Sequence, residues 1–173
     1  MIILTVPRVA QYSKMIAEKM GLAKEEQQNI YYTGLLHDIG KIAIPLEIIN
    51  KPTKLTDEEY DVIKTHPLRG YEILSEIESL PELPVGARWH HERYDGKGYP
   101  DGISGEKIPL FARIIAVADS YDTMTSNRSY RKYLPQNVVR EEIEKNIGTQ
   151  FDPIPAKIML EIIDSDTEYR LHE

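Results

Sequence analysis

The feature that most constrains this chain is a helical spacing of apolar residues that recurs almost from end to end. Val9, Tyr12, Ile16 and Met20 make one stripe, and Gly21 is a suitable stop for it. A second helix is expected from about Lys24 through Asp38, ended by Gly40. Thr56 and Glu59 have the spacing of a capping box. Pro67 can open a further helix whose buried side would carry Leu68, Tyr71 and Leu74. Pro84 can start a helix that ends near His91, and Leu110, Ile114, Val117, Ala118 and Tyr121 recur at the same spacing. Pro135 and Pro153 can open the last two. β-Branched runs such as Ile48-Ile49 are too short to compete. The expected fold is therefore an all-α bundle, one domain over 1–173 with its core at about 8–163.

One segment interrupts the periodicity. Glu92 to Pro109 reads ERYDGKGYPDGISGEKIP, rich in glycine and proline. A loop of this length inside a compact domain is usually functional or disordered. Its place directly behind a histidine pair favours function.

Composition narrows the chemistry. The chain has no cysteine, which excludes disulfides, thiolate nucleophiles and thiolate metal sites. A net charge of −7 argues against DNA or a general nucleic-acid partner, which needs a basic face. It leaves a small anionic substrate open, because bound cations reverse the sign of a pocket. The longest apolar stretch, Ile108 to Ala118, is broken by Arg113 and is too short to span a bilayer. No signal-peptide pattern opens the chain, so a cytoplasmic location without membrane attachment is expected.

Four of the five histidines fall where the sequence turns: His37 in LLHDIGK, His66 just before Pro67, and the pair His90-His91 at the mouth of the long loop. Asp119 and Asp122 follow in ADSYD. Taken singly, each of these is as well explained by a surface charge or a satisfied core histidine. Together they make an imidazole and carboxylate set suited to Fe, Mn, Zn, Co or Ni. Adjacent side chains on a helix point about 100° apart, so His37 and Asp38 suit two neighbouring ions better than one. Asp38 would bridge them through its two oxygens. Two ions about 3.5–4 Å apart form a clamp for phosphoryl displacement. Lys41 lies one turn beyond Asp38, and Arg128, Arg131 and Lys132 cluster in SNRSYRK, where guanidinium forks suit phosphate or a guanine edge.

These segments also resemble a known family. HDIGK at His37–Lys41, HHE at His90–Glu92, DGKGYP at Asp95–Pro100 and ADSYDTMTSNRSYR at Ala118–Arg131 resemble the HD-GYP domain, a branch of the HD phosphohydrolase superfamily. IAIPLEIINKPTKLTDEEYDVIKTHP fits the segment after the HD pair, and GTQFDP at Gly148–Pro153 fits the C-terminal signature. The resemblance runs from about Arg8 to Ile163. It implies an α-helical bacterial signalling domain that cleaves cyclic di-GMP to pGpG and then GMP at a two- or three-metal centre. It assigns His37, Asp38, His66, His90, His91 and Asp119 as metal ligands and Lys41 as the lysine beside the scissile phosphate. Gly98, Tyr99 and Pro100 would shape the substrate loop, with Tyr99 stacking on or hydrogen-bonding to a base. Arg128 and Arg131 would contact the dinucleotide.

One departure stands out. Where the family carries an early histidine ligand ahead of an Arg-Val pair, this chain has Thr5 before Arg8-Val9. One turn further back, where the trinuclear subset has a glutamate, it has only Met1. The expectation is two divalent ions, Fe, Mn or similar, in a domain whose N-terminal arm is shortened, as in an output domain separated from a longer regulator. Hydrolysis of another nucleotide, or a degenerate domain that binds cyclic di-GMP or a protein such as a GGDEF-type partner, are the alternatives. Metal content with a turnover assay separates them.

Overall fold

The computed structural model describes residues 6–127 and 132–172. Among them are nine α-helices: α1 (Val6–Lys19), α2 (Lys24–Leu36), α3 (Leu46–Ile49), α4 (Asp57–Ile63), α5 (His66–Leu74), α6 (Glu82–Trp89), α7 (Leu110–Thr125), α8 (Gln136–Lys145) and α9 (Pro153–Ser165). Short 3-10 turns lie at Ile39–Ala43 and Gly105–Lys107. Among the described residues there is no strand, only an isolated bridge between Ile147 and Phe151. The all-α expectation holds. No helix among these residues is long and apolar enough to cross a membrane.

The core forms around α7, whose Ile114, Ile115, Val117, Ala118 and Tyr121 are all fully buried. The stripe Val9, Tyr12 and Ile16 of α1 packs against it, joined by Val139 and Ile143 of α8 and Met159, Ile162 and Ile163 of α9. Each large aliphatic chain removed from water in this way stabilises the fold by roughly 1.5–3 kcal/mol relative to leaving it exposed. A smaller cluster of Leu74, Leu83 and Ala87 joins α5 to α6. The site lies between these two clusters.

Local signals behave as their chemistry dictates. Thr56 Oγ1 accepts from the Glu59 backbone N–H at 3.3 Å, and the Glu59 carboxylate accepts from the Thr56 N–H at 2.8 Å. Pro153 sits in the first turn of α9, capped by the Asp152 carboxylate, which accepts from the Ile154 N–H at 2.8 Å. Three details differ from expectation. α2 ends at Leu36, because His37 is its C-cap and Asp38, at φ −101° and ψ 9°, has already left helical geometry. α6 begins at Glu82, so Pro84 lies within its first turn, where a missing N–H costs nothing. The buried positions of α5 are His66, Pro67, Gly70 and Leu74, while Leu68 and Tyr71 are half-buried. This helix turns its inner face to the site rather than to a wide apolar core.

Candidate metal centre

Three histidines are held in the same way. His37 Nδ1 lies 2.8 Å from the Gly34 carbonyl, His66 Nδ1 lies 2.7 Å from that of Ile63, and His90 Nδ1 lies 2.9 Å from that of Ala87. Each carbonyl is three residues back, at the end of a helix or turn where it lacks a helical partner. With Nδ1–H donating there, each ring carries its lone pair on Nε2, the arrangement in which protein imidazoles bind metals. All three rings are buried. They come together from the end of α2, the start of α5 and the end of α6.

Asp38 sits at their convergence with its two oxygens facing different groups. Oδ1 is 3.2 Å from His66 Nε2 and 3.7 Å from His90 Nε2. Oδ2 is 3.4 Å from His37 Nε2 and 2.5 Å from Lys41 Nζ. His37 Nε2 also approaches Asp119 Oδ1 at 3.8 Å. Ligand atoms of Asp38, His66, His90 and His91 all lie within 4.8 Å of one another. The six residues expected as ligands are therefore brought together, in two halves that share Asp38. His37 Nε2 and Asp38 Oδ1 are buried without any hydrogen-bond partner. Buried polar atoms left this way are costly, and a bound cation removes the cost. The donor set and its orphaned atoms thus fit divalent metal.

The carboxylates act on the imidazoles unevenly, and on His37 they draw a proton that a bound cation would displace. Burial opposes a charge on His37, but Asp38 and Asp119 outweigh it and raise its pKa to about 10. Burial also works against ionisation of both carboxylates, yet His37 holds Asp38 and Asp119 well below the usual carboxylate range. Burial keeps His90 and His91 neutral, as ligands must be. Asp122, one turn beyond Asp119, takes no part. It pairs with Arg8 at 2.8 Å and accepts from Ser126 Oγ, tying α1 to the end of α7.

The long loop is a fixed wall. Tyr94 and Asp95 donate their backbone N–H groups to the carbonyls of Gln150 and Thr149, at 3.2 and 2.8 Å. Asp101 accepts from Arg88 at 2.9 Å and from the Trp89 indole at 2.7 Å. Gly98 is required by close approach: a Cβ there would lie 2.4 Å from the Arg93 nitrogen and 2.5 Å from the His91 oxygen. Tyr99, joined to Pro100 by a cis peptide bond, stacks on the His91 ring at 4.8 Å. One face of Tyr99 is thus spent on a ligand, and its hydroxyl meets Tyr60, which leaves less of it for a base than the sequence suggested.

Glu92 organises this wall and was missed beyond its place in the HHE triplet. Its carboxylate is buried, and Oε1 accepts from the backbone N–H groups of Asp101 and Gly102 at 2.6 and 3.0 Å. Glu92→Ala is expected to release the Asp101 segment from Trp89. Because Trp89 is the only tryptophan, its emission should shift to longer wavelength, whereas Glu92→Gln, which keeps an acceptor at Oε1, should retain the parent spectrum. Identical spectra for all three proteins would contradict the role. Arg128, Arg131 and Thr5 lie outside the described residues.

Beside His91 and Asp119 opens a groove of about 440 Å³ that runs along α7 to α8 and the turn before α9. Comparison with known proteins adds three findings. The HD domain family profile matches residues 3–154. The cyclic di-GMP phosphodiesterase response regulator RpfG of Xanthomonas campestris is 45% identical over 149 residues, covering 84% of this chain and 39% of its own length. The 3'3'-cGAMP-specific phosphodiesterase 2 of Vibrio cholerae is 38% identical over 158 residues, covering 90% of this chain and 30% of its own length. This chain therefore spans well under half the length of these curated relatives. In fold it is similar to Bd1817, an HD-GYP-type protein from Bdellovibrio bacteriovorus, with a TM-score of 0.75, 19% identity, and 92% of this chain and 51% of that one covered.

Proposed function

This chain belongs to the HD domain family, and on that premise we propose that it is a metal-dependent phosphodiesterase that hydrolyses a cyclic dinucleotide, cyclic di-GMP, to pGpG and GMP. The observation that carries the reading is the division of Asp38, with Oδ1 toward His66 and His90 and Oδ2 toward His37 and Lys41. A carboxylate so placed would be able to serve two ions at once. His66, His90 and His91 would complete one half, and His37 and Asp119 the other. Two divalent ions, Fe, Mn or similar, would supply charge neutralisation at the phosphate and an activated water at neutral pH.

The chain's own groups do the rest. The bonds from Nδ1 to backbone carbonyls hold the imidazoles in one tautomer and one orientation, so no reorganisation is needed as charge develops. Lys41 gives one of its three donors to Asp38, leaving two for a non-bridging phosphate oxygen. Tyr99 stacks on the His91 ring and would hold that ligand in one orientation. Arg128 and Arg131 are proposed, from their motif, to grip the dinucleotide phosphates.

The test is direct. Protein stripped with a chelator and reloaded with Mn or Fe(II) is incubated with cyclic di-GMP, and pGpG and GMP are followed by chromatography. Turnover should appear only in the reloaded sample. Protein that takes up metal to full stoichiometry yet leaves the dinucleotide intact would instead be a binding domain.

A further inference from the structure

We propose that the groove beside the metal centre is a base subsite that selects guanine over adenine, with the Glu142 carboxylate accepting from the guanine N1–H and 2-amino groups. The inference rests on the reading of the centre as a cyclic dinucleotide phosphodiesterase and names what that site discriminates.

The lining divides by chemistry. Asp119 stands at the metal end, Met124 and Phe151 supply apolar surface, and Glu142, Asn146 and Gln150 supply polar groups. At about 440 Å³ the space is ample for a planar purine. A thioether suits the face of such a ring, and carboxylate and amide groups suit its edge, while Phe151, 3% exposed, belongs mainly to the core. Glu142 and Asn146 are one turn apart on and just beyond α8, and Asn146 Nδ2 donates to the Glu142 backbone carbonyl at 2.8 Å, which fixes that amide. Gln150 is tied across the groove to Ser120 at 3.4 Å.

Charge decides what enters. The described lining holds two carboxylates and neither lysine nor arginine. A phosphate is disfavoured at the Glu142 end of the groove and is better placed at the metals and Lys41 or, as proposed above, at Arg128 and Arg131. What an acidic, half-buried wall accepts is a neutral group with donors. The guanine Watson–Crick edge offers two, N1–H and the 2-amino group, spaced for the two oxygens of one carboxylate. The adenine edge offers a single amino donor beside the N1 lone pair, which a carboxylate repels. The position suits the geometry of a nucleotide, since the groove begins at Asp119 and His91, where the scissile phosphate would lie.

GMP and AMP test this without requiring turnover. Each is titrated calorimetrically into metal-loaded parent protein, Glu142→Ala and Glu142→Gln. The parent should bind GMP at least about tenfold more tightly than AMP, the scale of one charge-assisted hydrogen bond in a partly open site. Glu142→Ala should abolish the preference, and Glu142→Gln, which keeps one acceptor oxygen, should retain part of it. A parent without preference, or a variant that loses affinity equally for both nucleotides, overturns the proposal. Failure to hydrolyse cyclic di-GMP would count against the proposed activity and leaves this comparison readable.

Discussion

Asp38→Asn is expected to lose most of its bound metal and to lower phosphodiester turnover by roughly 10²–10³-fold or more, the scale of removing an electrostatic group at the reacting centre. The amide keeps one oxygen, so whichever half of the site faces the new NH₂ meets donors instead of a lone pair. The lost negative charge also unbalances His37: burial opposes a charge on its ring, and Asp38 contributes most to offsetting that effect. Elemental analysis of the purified variant beside a turnover assay checks both effects. Full metal content with turnover near the parent's would remove Asp38 from the bridging role.

Gly40→Ala should be nearly as damaging by a purely steric route. A Cβ on Gly40 would lie 1.9 Å from the His66 carbonyl oxygen and 2.5 Å from the Gly70 nitrogen. These are backbone atoms, so no side chain can swing aside. The 3-10 turn at Ile39–Ala43 must instead move away from α5, and Asp38 must move away from His66. Overpacking of this kind costs about 3 kcal/mol, at the upper end of the usual range. For a chain of this size that corresponds to a fall in Tm of roughly 6–12 °C. Calorimetry with and without metal should show the fall in both conditions, together with weaker metal retention. A Tm within a degree or two of the parent would mean the turn and α5 part easily.

Gly40 also shows where sequence reasoning stops. Periodicity placed the helices, because burial of one face is written into spacing: Val9, Tyr12 and Ile16 are buried as expected. It also suggested that neighbouring His37 and Asp38 diverge, but Asp38 has left helical geometry and its Oδ2 lies 3.4 Å from His37 Nε2, so the two converge on one site. Spacing says nothing about which backbone crosses which, so Gly40 read as a helix stop when its role is to let α5 approach. The same limit hid the anchors of the long loop. Asp95 bonds to Thr149, far along the chain, and no local pattern in the loop marks that partner. Glu92 looked like one more charge beside a histidine pair, and only its burial reveals a carboxylate turned inward onto backbone N–H groups. Asp119 and Asp122 share a helix and a spacing but not a task, because what faces each of them is set by α1 and α2.

The proposed ligand set has a consequence for the durability of the chain. Its members sit at positions 37, 38, 66, 90, 91 and 119, on segments that meet only in the folded state. Once loaded, such a centre would tie those segments into closed loops, as disulfides do in secreted proteins, in a chain that has no cysteine to do so. Metal affinity would then be part of the folding free energy. Scarcity of metal would thus act twice on such a protein, silencing the proposed activity first and then exposing the chain to proteases through the more frequent opening of an unclasped bundle.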